Sequence, residues 1–173
     1  MKITLAQAVP LRSIISRYIA DLLEERDSVS TVETIVGEKY EKPVRSVDDV
    51  TIEIERSRKD FRRLDTSMAE MNLQAKVFWD DKEISITEAI ELAKQLREEV
   101  NVFKEYGKRK KQTLSSNWHH EEKVMIHTLY DPEEYRKKAL KLERQVNRLS
   151  QDIEAKNHQV EFEFKSATRY LDY

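Results

Sequence analysis

Apolar residues along this chain fall repeatedly on helical spacings. Between Asp131 and His158, Tyr135, Ala139, Leu142, Val146, Leu149 and Ile153 are separated alternately by four and three residues, a seam sustained over about three heptads. Asp131 is placed to cap this helix, Pro132 takes the first helical position, and Glu134 completes a capping pattern three residues after the cap. At ~1.5 Å per residue the helix is about 40 Å long, so its narrow stripe needs partner helices along its whole length.

The preceding chain supplies them. Thr4 and Gln7 form a capping box before Ala8, Leu11, Ile15, Tyr18 and Leu22, which predicts a helix over 4–26 whose first turn Pro10 kinks or delays. Ser46 and Asp49 open a second, over 46–76, with Val50, Ile54, Phe61, Leu64, Met68, Met71 and Ala75 in register and Ser57 as the polar interruption. Ser85 and Glu88 open a third, over 85–106, whose stripe is Ala89, Ala93, Leu96, Val100 and Phe103 and which Gly107 ends. The fourth runs over 131–158.

Short strands are expected between them: 34–36 within the loop Asp27–Arg45, 77–79 before the turn Asp80-Asp81-Lys82, 122–130, and the alternating 160–164, which is available to pair with 122–130. Thr113–Asn117 reads as a polar linker, and Ala167–Tyr173 as an aromatic tail too short to fold alone. The expected architecture is one mainly α domain over 1–173: a long-helix antiparallel bundle with coiled-coil-like seams and a small β element. Thin stripes on long helices gain from a second chain, so the protein is expected to be a homo-oligomer.

Composition narrows the function. Charged residues make up 37% of the 173 against 39% hydrophobic, with Gly 2 and Pro 3, which suits long charged-faced helices better than a turn-rich sheet protein. The net charge of -2 argues against an extended nucleic-acid footprint or a membrane surface, so no DNA, RNA or membrane partner is expected and an anion site must be a local cluster. No cysteine is present, no run approaches the ~18 apolar residues of a membrane span, and the N-terminus lacks a signal-peptide pattern; a cytoplasmic location is expected.

Nothing in the residues asks for an enzyme. There is no thiol nucleophile, the serines stand in caps and linkers, and two glycines cannot build a phosphate-cradling loop, so neither catalytic residues nor a cofactor is expected. The metal-like string His119-His120-Glu121-Glu122 lacks helical ligand spacing, and in a strand His127 would face away from His120, so no metal site is expected.

The informative cluster is Lys104, Lys108, Arg109, Lys110 and Lys111 followed by Trp118, His119 and His120. Cations beside stackable rings are what a phosphate-bearing nucleotide requires, at ~1–3 kcal/mol per stacked base. The plainer alternative is a solvated helix end that complements the backbone dipole. Arg12, Arg17 and Arg97 lie near the seams and are further candidates for anion contacts, or for ion pairs with glutamates.

Taken in order along the chain, Leu5-Ala6-Gln7-Ala8 with Leu11-Arg12, the Gly37-Glu38 and Pro43 loop, Asn72, Ile86-Thr87-Glu88-Ala89-Ile90 with Arg97, and Glu122-Lys123-Val124 resemble the septicolysin-like family of small bacterial and phage helical proteins. The chain departs from that pattern in its longer C-terminus and in His158-Gln159-Val160, where the family tends to have Asn-Trp. The resemblance implies a helical, oligomeric protein and carries no established activity. By analogy with small phage oligomers that sequester nucleotide immune signals, the first functional expectation is a non-catalytic binding protein of that sponge type. The second is a structural or protein-interaction bundle without a small-molecule ligand.

Overall fold

The computed structural model describes residues 1–115 and 124–170, and within them every predicted helix is present. The order is β1 (Lys2–Thr4), α1 (Leu5–Ser28), α2 (Val47–Gln74), β2 (Lys76–Trp79), β3 (Lys82–Ser85), α3 (Ile86–Lys108), β4 (Gln112–Leu114), β5 (Met125–His127), α4 (Pro132–Gln159), β6 (Glu161–Glu163) and a short 3-10 turn at Ala167–Tyr170. The protein is mainly helical with small antiparallel two-stranded sheets. No helix among the described residues is long and apolar enough to cross a membrane.

Local chemistry places the helix starts. The Thr4 and Ser46 side chains accept the N–H groups of Gln7 and Asp49, whose own side chains accept the cap N–H groups in return. These reciprocal bonds satisfy donors that the first helical turn leaves orphaned. At α4 the Asp131 carboxylate accepts the N–H of Glu133, one residue earlier than the expected capping pattern through Glu134. Pro10 lies inside α1, and the helix continues through it.

The chain forms two compact units, Met1–Ala75 with Ala155–Tyr173, and Lys76–Glu154. In the first, α1 and α2 run antiparallel, as the cross-helix pairs Arg12–Asp65, Tyr18–Glu53 and Leu22 against Val50 and Ile54 show. The seam residues Ala8, Leu11, Ile15, Leu22, Val50, Ile54 and Leu64 are buried there, and so is Ser57. The β1–β6 ladder pairs Ile3 with Phe162, both buried, and Phe164 donates its N–H to the Met1 carbonyl at 2.9 Å. In the second unit α3 and α4 run antiparallel through Arg97–Ser150, Lys104–Glu143 and Gly107–Arg136, with Ala89, Ala93, Val100, Ala139, Val146 and Leu149 buried.

The β element differs from expectation. No strand forms at 34–36, where Ile35 and Val36 are 70% and 101% exposed: three residues with no neighbouring strand cannot satisfy a ladder. Among the described residues of 122–130 only Met125–His127 is a strand, and its partner is Gln112–Leu114, which overlaps the start of the stretch Thr113–Asn117 expected to be a linker. Segment 160–164 therefore pairs with β1 rather than with 122–130. Gly107 does not end α3 but lies within it, where a Cβ would stand 2.6 Å from Arg136 Cγ and 3.2 Å from Arg136 N. Its glycine identity answers a close approach of α4, not a turn.

Candidate functional site

The cationic end of α3 lies beside the β4–β5 hairpin. Lys108, Arg109 and Lys110 line a groove of about 780 Å³ with Thr113, Ile126, His127, Thr128, Leu129 and Tyr130. Thr128 ties the hairpin to the helix end, its N–H donating to the Lys111 carbonyl at 2.9 Å and its hydroxyl to the Lys110 carbonyl at 2.8 Å. Tyr130, in the groove's lining, also belongs to an aromatic cluster in which Tyr106, Tyr130 and Tyr135 stand 4.8–5.3 Å apart by ring centroid and Phe103 meets Tyr135 at 5.3 Å. Such pairs add about 0.5–1.5 kcal/mol each beyond burial and hold Tyr130 in place.

The charges around it are partly spoken for. The Arg109 guanidinium sits 5.3 Å from the Tyr106 ring centroid and has no carboxylate partner among the described residues. Lys108 pairs with Glu105 one turn back, and Lys111 lies 4.0 Å from Asp131. Lys110 has no side-chain partner among the described residues. The rings available in the groove are Tyr130 and His127; Trp118, His119 and His120 lie outside the described residues.

The other candidates separate from this cluster. Lys104 donates to Glu143 at 2.6 Å, and Arg97 donates to the Ser150 hydroxyl at 2.6 Å, both bracing α3 against α4. Arg12 forms a two-point pair with Asp65 and lies 5.0 Å from the Phe61 centroid; its hydrogen bond to Asp65, with the attraction of that charge, raises its pKa. Arg17 is exposed and has no side-chain partner among the described residues. The geometry therefore brings together Lys108 and Arg109 alone of the expected ligand residues that are described.

A second basic cleft escaped the sequence reading. Lys59, Arg62, Arg63, Thr66, Ser67 and Glu70 form one face of α2 and, with Glu163 at the end of β6 and Phe164–Ser166 after it, line a cleft of about 470 Å³. The signal was present in the spacing of three and four residues, the same periodicity as the apolar seam but on the neighbouring face. Its outer wall is fixed by Asp60, which is 4% exposed and accepts from Ser166 Oγ and Arg169 at 2.8 Å and from the Tyr170 hydroxyl at 3.0 Å. Burial, first, pushes the Tyr170 phenol above its ordinary pKa, with Asp60 adding to the rise. Among the described residues no group of three or more His, Asp or Glu side chains is placed to hold a metal ion.

No protein-family model and no curated protein matches the chain. A solved structure does: the chain is similar to a functionally unknown conserved protein from Corynebacterium diphtheriae, at 18% identity and a TM-score of 0.60, over 94% of this chain and 100% of that one. At that identity the likeness shows a shared fold and nothing about activity.

Proposed function

We propose that this protein is a non-catalytic, cytoplasmic binding protein that sequesters a small phosphate-bearing anion of the nucleotide-signal type, with the groove at the end of α3 as its site. The observation that carries the reading is the groove itself, whose volume is of small-molecule size and whose walls set Lys108, Arg109 and Lys110 against His127 and Tyr130. Cations neutralise phosphate, and rings offer a face to a base. The reading includes a homo-oligomeric state. Exposed apolar side chains on the helices, among them Val9, Ile52, Leu73 and Leu140, give a second copy something to cover.

A structural or protein-interaction bundle is the second reading, and specific pairs favour it. Lys104–Glu143, Arg97–Ser150 and Arg12–Asp65 spend candidate ligand charges on bracing helices. Calorimetry against a panel of nucleotide signals separates the two. In protein carrying Arg62→Glu and Arg63→Glu, which removes the α2 cleft's charge, binding that weakens as salt is raised, is lost on adding Lys108→Glu with Arg109→Glu, and falls by about 1–3 kcal/mol in His127→Ala supports the first. A wild type that binds nothing in the panel leaves the bundle.

A further inference from the structure

We infer that the cleft between α2 and the segment after β6 is a second anion site, one that takes a compact oligophosphate group by its charge and is indifferent to any base attached to it. It does not rest on the α3 groove, with which it shares no residue.

Four cations meet here, Lys59, Arg62 and Arg63 on one helix face and Lys165 across from them, and none has a side-chain partner among the described residues. Arg17 and Lys110 are unpaired among those residues as well, but here four unpaired cations line one cleft, whereas Arg12, Arg45, Lys104, Arg136 and Arg169 each hold a carboxylate. Like charges three and four residues apart on a helix repel one another, a cost that a bound anion removes. Two carboxylates line the cleft with them, Glu163 two residues before Lys165 and Glu70 further along α2, so the four cations outnumber the acids two to one; Asp60, beside Lys59, is withdrawn against Arg169, Ser166 and Tyr170.

The wall carrying Lys165 is held in place before any ligand arrives. The β1–β6 ladder, the Phe164 N–H to the Met1 carbonyl and the Ser166 bond to Asp60 fix its backbone on both sides of the lysine. A fixed wall lowers the ordering cost of binding.

Two features define the ligand. The cationic stretch from Lys59 to Arg63 rises about 6 Å along the helix, the reach of two adjacent phosphates, whereas Glu70 places a carboxylate about 10 Å beyond Arg63 and turns away a longer phosphodiester strand. The aromatic residue in the cleft, Phe164, is 4% exposed, so its face is not offered to a base. Charge is recognised and the base is not, which fits pyrophosphate, tripolyphosphate or the phosphate tail of any nucleoside triphosphate.

The test is calorimetry at low salt on the full chain carrying Lys108→Glu and Arg109→Glu, so that the α3 groove is silent, with tripolyphosphate, ATP and GTP as probes. The expected result is binding of all three within about threefold of one another, weakened about tenfold or more by adding Arg62→Glu and Arg63→Glu. Circular dichroism checks that the added changes leave the helices intact; should they not, Lys59→Gln with Lys165→Gln is held to the same tenfold criterion. Absence of binding in the α3-silenced protein overturns the inference. So does binding that survives the α2 changes, a preference of about tenfold or more for one base, or tighter binding of a single-stranded oligonucleotide than of tripolyphosphate. Failure here leaves the α3 reading intact, because that is read from the nucleotide panel on the protein with its α2 cleft mutated and α3 unchanged.

Discussion

Arg169 reaches back 109 residues to set its guanidinium 2.8 Å from the buried carboxylate of Asp60. The pair is unequal in exposure, with side chains 23% and 6% exposed, and Asp60 also accepts two hydroxyls. This carboxylate is thus the anchor that ties the end of the chain to the middle of α2. Removing one partner of a buried pair costs ~3–5 kcal/mol, because the other is left without compensation. Since Arg169 retains contact with water, Asp60→Ala is expected to cost somewhat less than that, ~2–4 kcal/mol, in urea unfolding. Asp60→Asn keeps an acceptor for the hydroxyls and should lose less. A double-mutant cycle with Arg169→Ala is expected to give a coupling of at least ~1 kcal/mol. Additive losses would show that Asp60 is held by its hydroxyl donors alone.

At the start of α2 the Ser46 hydroxyl and backbone N–H both donate to the Asp49 carboxylate, the hydroxyl at 2.6 Å, and these bonds lower its pKa from the ordinary 3.8. A carboxyl group whose folded pKa is depressed contributes stability that is present above its unfolded pKa and is lost as pH falls through the folded value. The wild type should therefore lose this contribution on acidification from about pH 5 to below the ordinary carboxylate range. Ser46→Ala is expected to be less stable at neutral pH by ~0.5–2 kcal/mol, the usual worth of an N-cap. Its stability should also change less over the acid window, since the bonds that depress the pKa are weakened. Urea unfolding at pH 7, 5 and 3 reads both effects; equal acid slopes would refute the linkage.

The hairpin joining β2 to β3 turns on Asp80 and Asp81, whose φ angles are 49° and 60°. Both residues of a two-residue turn at positive φ match the twist of the flanking strands, and Asn-Gly fills such a turn with less strain than two aspartates. Asp80→Asn with Asp81→Gly is expected to stabilise the protein by about 0.5–1 kcal/mol, a little of the gain being offset by the entropy of glycine in the unfolded chain. A lower urea midpoint in the double variant would mean that the carboxylates do more in this turn than tolerate it.

What the chain discloses about itself divides along the distance between partners. The seams of α1 to α4 and the caps Thr4 and Ser46 could be read directly, because a helix and its first turn are decided by residues three and four apart. Strand pairing could not. Lys2–Thr4 has three residues and no pattern of its own, yet it is what Glu161–Glu163 pairs with, 157 or more positions away. The candidate site was legible in the same measure. Lys108 and Arg109 stand where a run of like charge placed them, but the partners that occupy Arg12 and Arg97 lie 53 residues off, and the α2 cleft was overlooked because the helix was read for its apolar face.

Gly107 is the position where helix preference and packing oppose each other. In an isolated helix Gly→Ala would be worth about 0.8–1.0 kcal/mol in favour of alanine. Here the added Cβ would lie 2.6 Å from Arg136 Cγ, and also 3.2 Å and 3.3 Å from the Arg136 N and Cα atoms. The side-chain contact can be relieved by rotating Arg136, at the expense of its 2.8 Å hydrogen bond to the Gly107 carbonyl, but the backbone contacts require α3 and α4 to move apart. Overpacking of that kind costs ~1–3 kcal/mol, more than the helix preference returns, so Gly107→Ala is expected to lower stability by about 0.5–2 kcal/mol. Arg136→Ala in the same background removes the Cγ that the new methyl strikes and should recover part of the loss, which a double-mutant cycle by urea unfolding will read. If Gly107→Ala instead raises the midpoint, the two helices have room to spare at this crossing and the glycine answers only to the helix end.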